Sequence, residues 1–248
     1  DWKFLGNTAN AVDIAVVHTG FNLAATAVLL PFNRLLEKLA YLTIPAEPIH
    51  QEPVLLDERL LATPGVAVSR AYQVAGDMLN TTSEAVKLSV DTFRNYSEEK
   101  FEKVCELEKE TDNYEDSLGS YLVKLTGVEL NAVDNRTLNA ILYTISDIER
   151  IADYALILAK TSKRMKENNV KFSDAAMEEL EVLEKAVLHI VESTAKAFAE
   201  TDISRAAKIE PQDEVISSLI KEVKARHISR LRNGQCSVEY GLVLEDIL

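Results

Sequence analysis

Apolar residues recur at steps of three and four along most of this chain, the period that puts them on one face of an α-helix. The pattern is clearest at Leu138, Ile141, Leu142, Ile145, Ile148, Ala152, Ala155, Leu156 and Ala159, a stripe long enough for about six turns. From Pro64 onward the periodicity predicts helices over 64–96, 98–126, 135–166, 173–201 and 203–232, with another starting near 237. Local chemistry marks several ends. Ser97 precedes Glu98 and Glu99, an N-cap followed by an acidic first turn, although Lys100 replaces the acid of a full capping box. Gly127 closes one helix, Ser173 can cap another, and Asn233-Gly234 supplies residues that tolerate left-handed backbone.

The opening segment has a different pattern. Ala9 to Phe32 is apolar almost throughout, with Asp13 and His18 as its ionisable residues. About 24 residues at roughly 1.5 Å each would cover a bilayer core of about 30 Å. The polar groups within it need protein or water around them, so the reading is a helix of a membrane bundle or a buried helix of a soluble protein. Arg34 and Lys38 follow, favouring a cytoplasmic C-terminal side. Pro45, Pro48 and Pro53 then punctuate an extended connector. The expected organisation is residues 1–43 as the end of a membrane domain, 44–63 as a linker, and two helical repeats over 64–168 and 169–248.

The two repeats emerge when the chain is compared with itself at a shift of about 105 residues. Phe93 then matches Phe198, Ser97 matches Asp202, Val104 matches Ile209, Glu108 matches Asp213 and Leu118 matches Val223. Asp112 meets Ser217, and the counterparts of Glu149 and Asp153 would fall beyond Leu248. The expectation is a three-helix bundle used twice, the second copy truncated, within a longer protein.

Composition narrows the function. A net charge of −13 opposes nucleic acid as a partner, because phosphate binding needs a basic face. With 8 Gly, 6 Pro and 6% aromatic residues, long helices are favoured over strands. Cys105 and Cys236 are the only cysteines, which speaks for reduced thiols rather than a disulfide scaffold. No Gly-rich phosphate loop, nucleophile elbow or paired-cysteine motif is present, and the spacings Glu184/His189 and Glu222/His227 do not fit the Glu-x-x-His of diiron bundles. A non-catalytic binding or regulatory protein is expected.

The candidate chemistry lies in two acidic pairs, Glu108/Asp112 and Glu149/Asp153. A spacing of four stacks both acids on one helix face, where they repel unless a cation lies between them. A short connection around Val128–Asp134 makes the two helices antiparallel and puts both pairs about 25 Å from the turn. Carboxylates at one level suit hard cations: iron, manganese, magnesium or calcium. The competing reading is a set of surface acids neutralised by Arg150, Lys103 and Lys109.

Ser146-Asp-Ile-Glu-Arg-Ile-Ala-Asp153 resembles the ERxxD signature of PhoU domains, and Glu108-xxx-Asp112 resembles their other acidic motif. Ala225-Arg-His-Ile-Ser-Arg-Leu231 with Gly234 and Cys236 is similar to the second PhoU repeat of bacterial Na/Pi cotransporters, and Val17-His-Thr-Gly-Phe-Asn22 to the end of their membrane domain. The resemblance implies an all-α fold of PhoU-like tandem three-helix bundles, the second incomplete, on the cytoplasmic side of the inner membrane from about residue 44. It implies regulation of a sodium-dependent phosphate transporter by its own tail, with an upstream transporter domain handling phosphate and sodium ions. A soluble PhoU-type adaptor acting on a separate transport system is the alternative, and homo-oligomerisation is left open. It further implies multinuclear metal binding, with Glu108, Asp112, Glu149 and Asp153 as ligands and Asp147 near them.

Overall fold

The computed structural model describes residues 11–29 and 56–248. The chain divides into two units, residues 1–53 and 54–248. In the first, helix α1 spans Ala11–Leu29. The ends of the apolar segment, and the connector with Arg34, Lys38, His50 and its three prolines, lie outside the described residues. Among the described residues, no helix is long and apolar enough to cross a membrane.

The second unit begins with a 3-10 turn, Glu58–Ala62, capped by Asp57, which accepts from the Arg59 amide at 2.9 Å. Six α-helices of a turn or more follow: α2 (Pro64–Arg94), α3 (Glu98–Thr126), α4 (Ala132–Glu167), α5 (Asp174–Glu200), the single turn α6 (Ile203–Ala206) and α7 (Ile209–Arg232). The last element is α8 (Val238–Ile247). No strand occurs among the described residues.

Helices α2, α3 and α4 pack on one another as an antiparallel bundle, and α2 also carries α5 on its remaining side. That position explains the breadth of the buried face of α2, which includes Ala67, Ala71, Ala75, Met78, Ala85 and Ser89. Small residues let neighbouring helices approach from several directions. The core is filled by Met78, Leu118, Leu122, Leu125, Leu138 and Ile141, all essentially inaccessible. Buried hydroxyls are satisfied locally: Ser83 donates to the Leu79 carbonyl at 2.7 Å and Thr111 to Leu107 at 2.9 Å.

The core is thinner beyond α4. Leu180 of α5, Val223 of α7 and Leu244 of α8 share a small core, with Phe93 and Phe172 beside it. α8 reaches back to α4. α2 and α5 are joined where Tyr72 stacks on Phe198, with ring centroids 4.6 Å apart, and donates to the Phe198 carbonyl at 2.7 Å.

Two boundaries correct the sequence reading. α4 starts at 132 rather than 135, because the Asn131 side chain accepts from the amides of Val133 and Asp134 and opens the helix there. The helix expected over 203–232 is broken into α6 and α7 at Ala207 and Lys208. Pro211 accounts for the break: it has no amide proton, and its ring excludes a helical carbonyl at Ala207, four residues back. The other end signals act as read. Ser97 accepts from Lys100, Ser173 from Ala176, and Gly234 adopts φ 70°. Gly127 closes α3 without left-handed backbone, at φ −84°.

Candidate functional site on the acidic face of α3 and α4

Because α3 and α4 are long and antiparallel, residues equally distant from their connection come level. Ser146 on α4 donates to Glu115 on α3 at 2.8 Å, which sets the register. In that register the charge of Asp112 reaches Glu149 and that of Asp153 reaches Glu108. The structure therefore brings the Glu108/Asp112 and Glu149/Asp153 pairs together on neighbouring helices. Glu108, Glu149 and Asp153 are half-buried and Asp112 is exposed.

Burial and neighbouring charge raise the proton affinity of Glu108, Asp112 and Glu149. Burial pushes the Glu108 carboxyl above the usual range, and the charges of Asp112 and Asp153 add to it, against a smaller opposing effect of Lys160. Asp112 is raised by burial and then by Asp153, Glu115 and Asp116. Glu149 is raised by burial, by the charges of Asp153, Glu115 and Asp112, and by a hydrogen bond with Asp153. Lys103 is paired with Glu106 at 2.9 Å, and Arg150 with Asp147 at 3.9 Å. Those two cations therefore serve other acids.

Asp147 is exposed and is not among the acids that act on Glu108, Asp112 or Glu149. The residue that sequence reasoning missed is Glu115. It follows Asp112 by three and Glu108 by seven, a spacing that continues the same helix face and could have been read. Beyond Glu115 an open groove of 690 Å³ runs between the helices towards Val123 and Leu142, with Gly119 and Ser120 on its floor. Over the second repeat expected from the sequence, Asp213 is exposed on α7 and Ser217 stands where Asp112 would, so no comparable convergence of acids is built there.

An all-oxygen, mutually repelling donor set has the chemistry of a hard-cation site. Its geometry is open: among the described residues, no three acids, histidines or cysteines are close enough together to hold one ion. The residues fit such a cation in charge and donor type, and side-chain closure would be needed to complete its coordination.

The family comparison falls on this same surface. Part of the chain is similar to the PhoU domain. The model of that family matches residues 76–161, from within α2 into α4, and so spans all four paired acids. The all-α, PhoU-like bundle is the fold of the chain. Over 172 residues, 67% of this chain and 71% of the relative, it is 27% identical to the phosphate-specific transport system accessory protein PhoU homolog 1 of Thermotoga maritima. No solved structure gives a significant match.

Proposed function

We propose that this PhoU-like protein regulates phosphate transport without catalysing a reaction, and that its α3–α4 acidic face is the cation-dependent part of that regulation. The observation that carries the reading is the coincidence of the PhoU match with convergent, mutually repelling carboxylates on two adjacent helices. The relative's printed role, accessory protein of a phosphate-specific transport system, supports the process. Glu108, Asp112, Glu149 and Asp153, with Glu115 in place of Asp147, would hold iron, manganese or magnesium. The bound cation would supply the positive charge that removes their repulsion.

The test is elemental analysis of the purified chain beside Glu108→Ala and Asp153→Ala variants. A hard cation that falls with each change supports the reading. Equal background metal in all three leaves only an acidic surface.

Two arrangements serve this function. In one, the second unit is the cytoplasmic tail of a sodium-dependent phosphate transporter in the inner membrane, attached through the apolar α1. The division of the chain at residue 53 is what favours it. In the other, the chain is an adaptor to a separate transport system, as the relative's name describes for that protein. A reporter fused to residues 1–43 should stay with membranes in the first case. Residues 54–248 alone should then keep the melting transition of the full chain, whereas an adaptor that packs α1 into its bundle would lose it.

A further inference from the structure

Outside the acidic face, one pair of chemically active side chains is used by neither the fold's core nor the proposed function. The Cys236 sulfur lies 3.7 Å from His227 Nδ1, across the turn between α7 and α8. His227 is only 9% exposed, and among the described residues no carboxylate or backbone group partners its ring. The other face of the imidazole is closed by Gly241 of α8, where even a methyl group would come 2.9 Å from Nε2. The ring is thus held in place and aimed at the thiol. The thiol has the Ser237 carbonyl, at 3.6 Å, as its alternative acceptor.

A thiol beside a fixed base is the arrangement that yields a nucleophilic sulfur. We infer that Cys236 is a reactive thiol, primed by His227, and that it is a site of oxidation by hydrogen peroxide. The Cys236 proton passes to His227 Nδ1 and the sulfur attacks one peroxide oxygen. The S–O bond forms as the O–O bond breaks, and the leaving hydroxide takes the proton back from the imidazolium. Sulfur loses two electrons, the peroxide gains them, and the products are a sulfenic acid and water. Cys236 is half-buried, so the oxidant can reach it. Cys105 is an internal control. It is also half-buried, but it packs beside Val104, Leu156 and Ala159, and burial pushes its thiol up.

The experiment treats the full chain with stoichiometric hydrogen peroxide in the presence of dimedone and follows both cysteine peptides by mass spectrometry. Capture at Cys236 should run about tenfold or more faster than at Cys105. In His227→Gln, with an unchanged helical circular-dichroism spectrum, the Cys236 rate should fall to within about threefold of Cys105. Equal rates in the unmodified chain overturn the inference, and so does a His227→Gln rate equal to that of the unmodified chain. Where the variant does not fold, the ratio in the unmodified chain decides.

Discussion

Ser146 donates a hydrogen bond of 2.8 Å to Glu115, and the same register that joins these two residues brings Asp112 level with Glu149. Glu115 thereby belongs to the acidic face, and Asp147, only one residue from Ser146, does not. The expected consequence is a sharp contrast between two charge-neutralising changes. Glu115→Gln should weaken manganese binding by about tenfold, roughly 1.4 kcal/mol, while Asp147→Asn should leave it within about twofold. Isothermal titration calorimetry on the full chain measures both, and the reverse order would remove Glu115 from the site.

Acid–base behaviour follows from the same cluster. Glu108, Asp112 and Glu149 keep their protons to higher pH in the folded chain than in the unfolded one. Between the ordinary carboxylate value, about 4, and their raised values, the folded state binds more protons, so stability falls as pH rises. Carboxyls held low by partners, such as Glu98 beside Lys163 and Asp57 beside Arg59, lose their stabilising effect only below the ordinary value. In chelator-treated protein the melting temperature should therefore be higher near pH 5 than near pH 7.5. Glu149→Gln should flatten that dependence and raise stability at neutral pH by about 0.5 kcal/mol. A melting temperature that climbs across the interval would contradict the account.

A largely buried ion pair ties α5 to α7. Arg230 of α7 grips Glu179 of α5 through two hydrogen bonds of 2.8 and 2.9 Å, and the side chains are 16% and 12% exposed. Arg226 approaches the same carboxylate at 3.7 Å but is largely exposed. Removing Arg230 strands a mostly buried acid with a weaker partner, so Arg230→Ala should cost about 2 kcal/mol in denaturant unfolding. Arg226→Ala should cost less than about 0.5 kcal/mol.

Thr82 and Thr111 meet in the first bundle with hydroxyl oxygens 3.3 Å apart, both side chains inaccessible. Thr111→Val deprives Thr82 of that partner and should destabilise the chain by about 1 kcal/mol. Thr82→Val combined with Thr111→Val removes both polar groups together. The double variant should then lose less than the sum of the single ones, which unfolding measurements in a double-mutant cycle would show.

Much of the helical framework was readable because helix formation and capping are local. The stripe from Leu138 to Ala159, the caps at Ser97 and Ser173, and the left-handed Gly234 depend on neighbours within a few residues, and each is present in the structure. The two boundaries that differ are also set locally: Asn131 opens α4 early, and Pro211 splits α6 from α7. Glu115 continues the same helix face three residues beyond Asp112, outside the i,i+4 spacing of the two acidic pairs.

The pairing of Cys236 with His227 was beyond such reasoning. Nine residues apart in sequence, they meet only because the chain turns at Gly234 and α8 folds back over the imidazole. Likewise, which lysines and arginines would neutralise the acids depended on helix orientation about the bundle axis, and Lys103 and Arg150 point to other partners.

By itself, the order of residues determined that this chain is helical, where most helices start and stop, and which acids share a helix face. Those properties follow from backbone hydrogen bonds and side-chain spacing over one or two turns. Tertiary packing alone decided which faces meet, because contact between α3 and α4, or between α5 and α7, is chosen by burial summed over whole helices. It made Glu115 part of the acidic surface, left Asp147 with Arg150, and set a thiol against a buried imidazole.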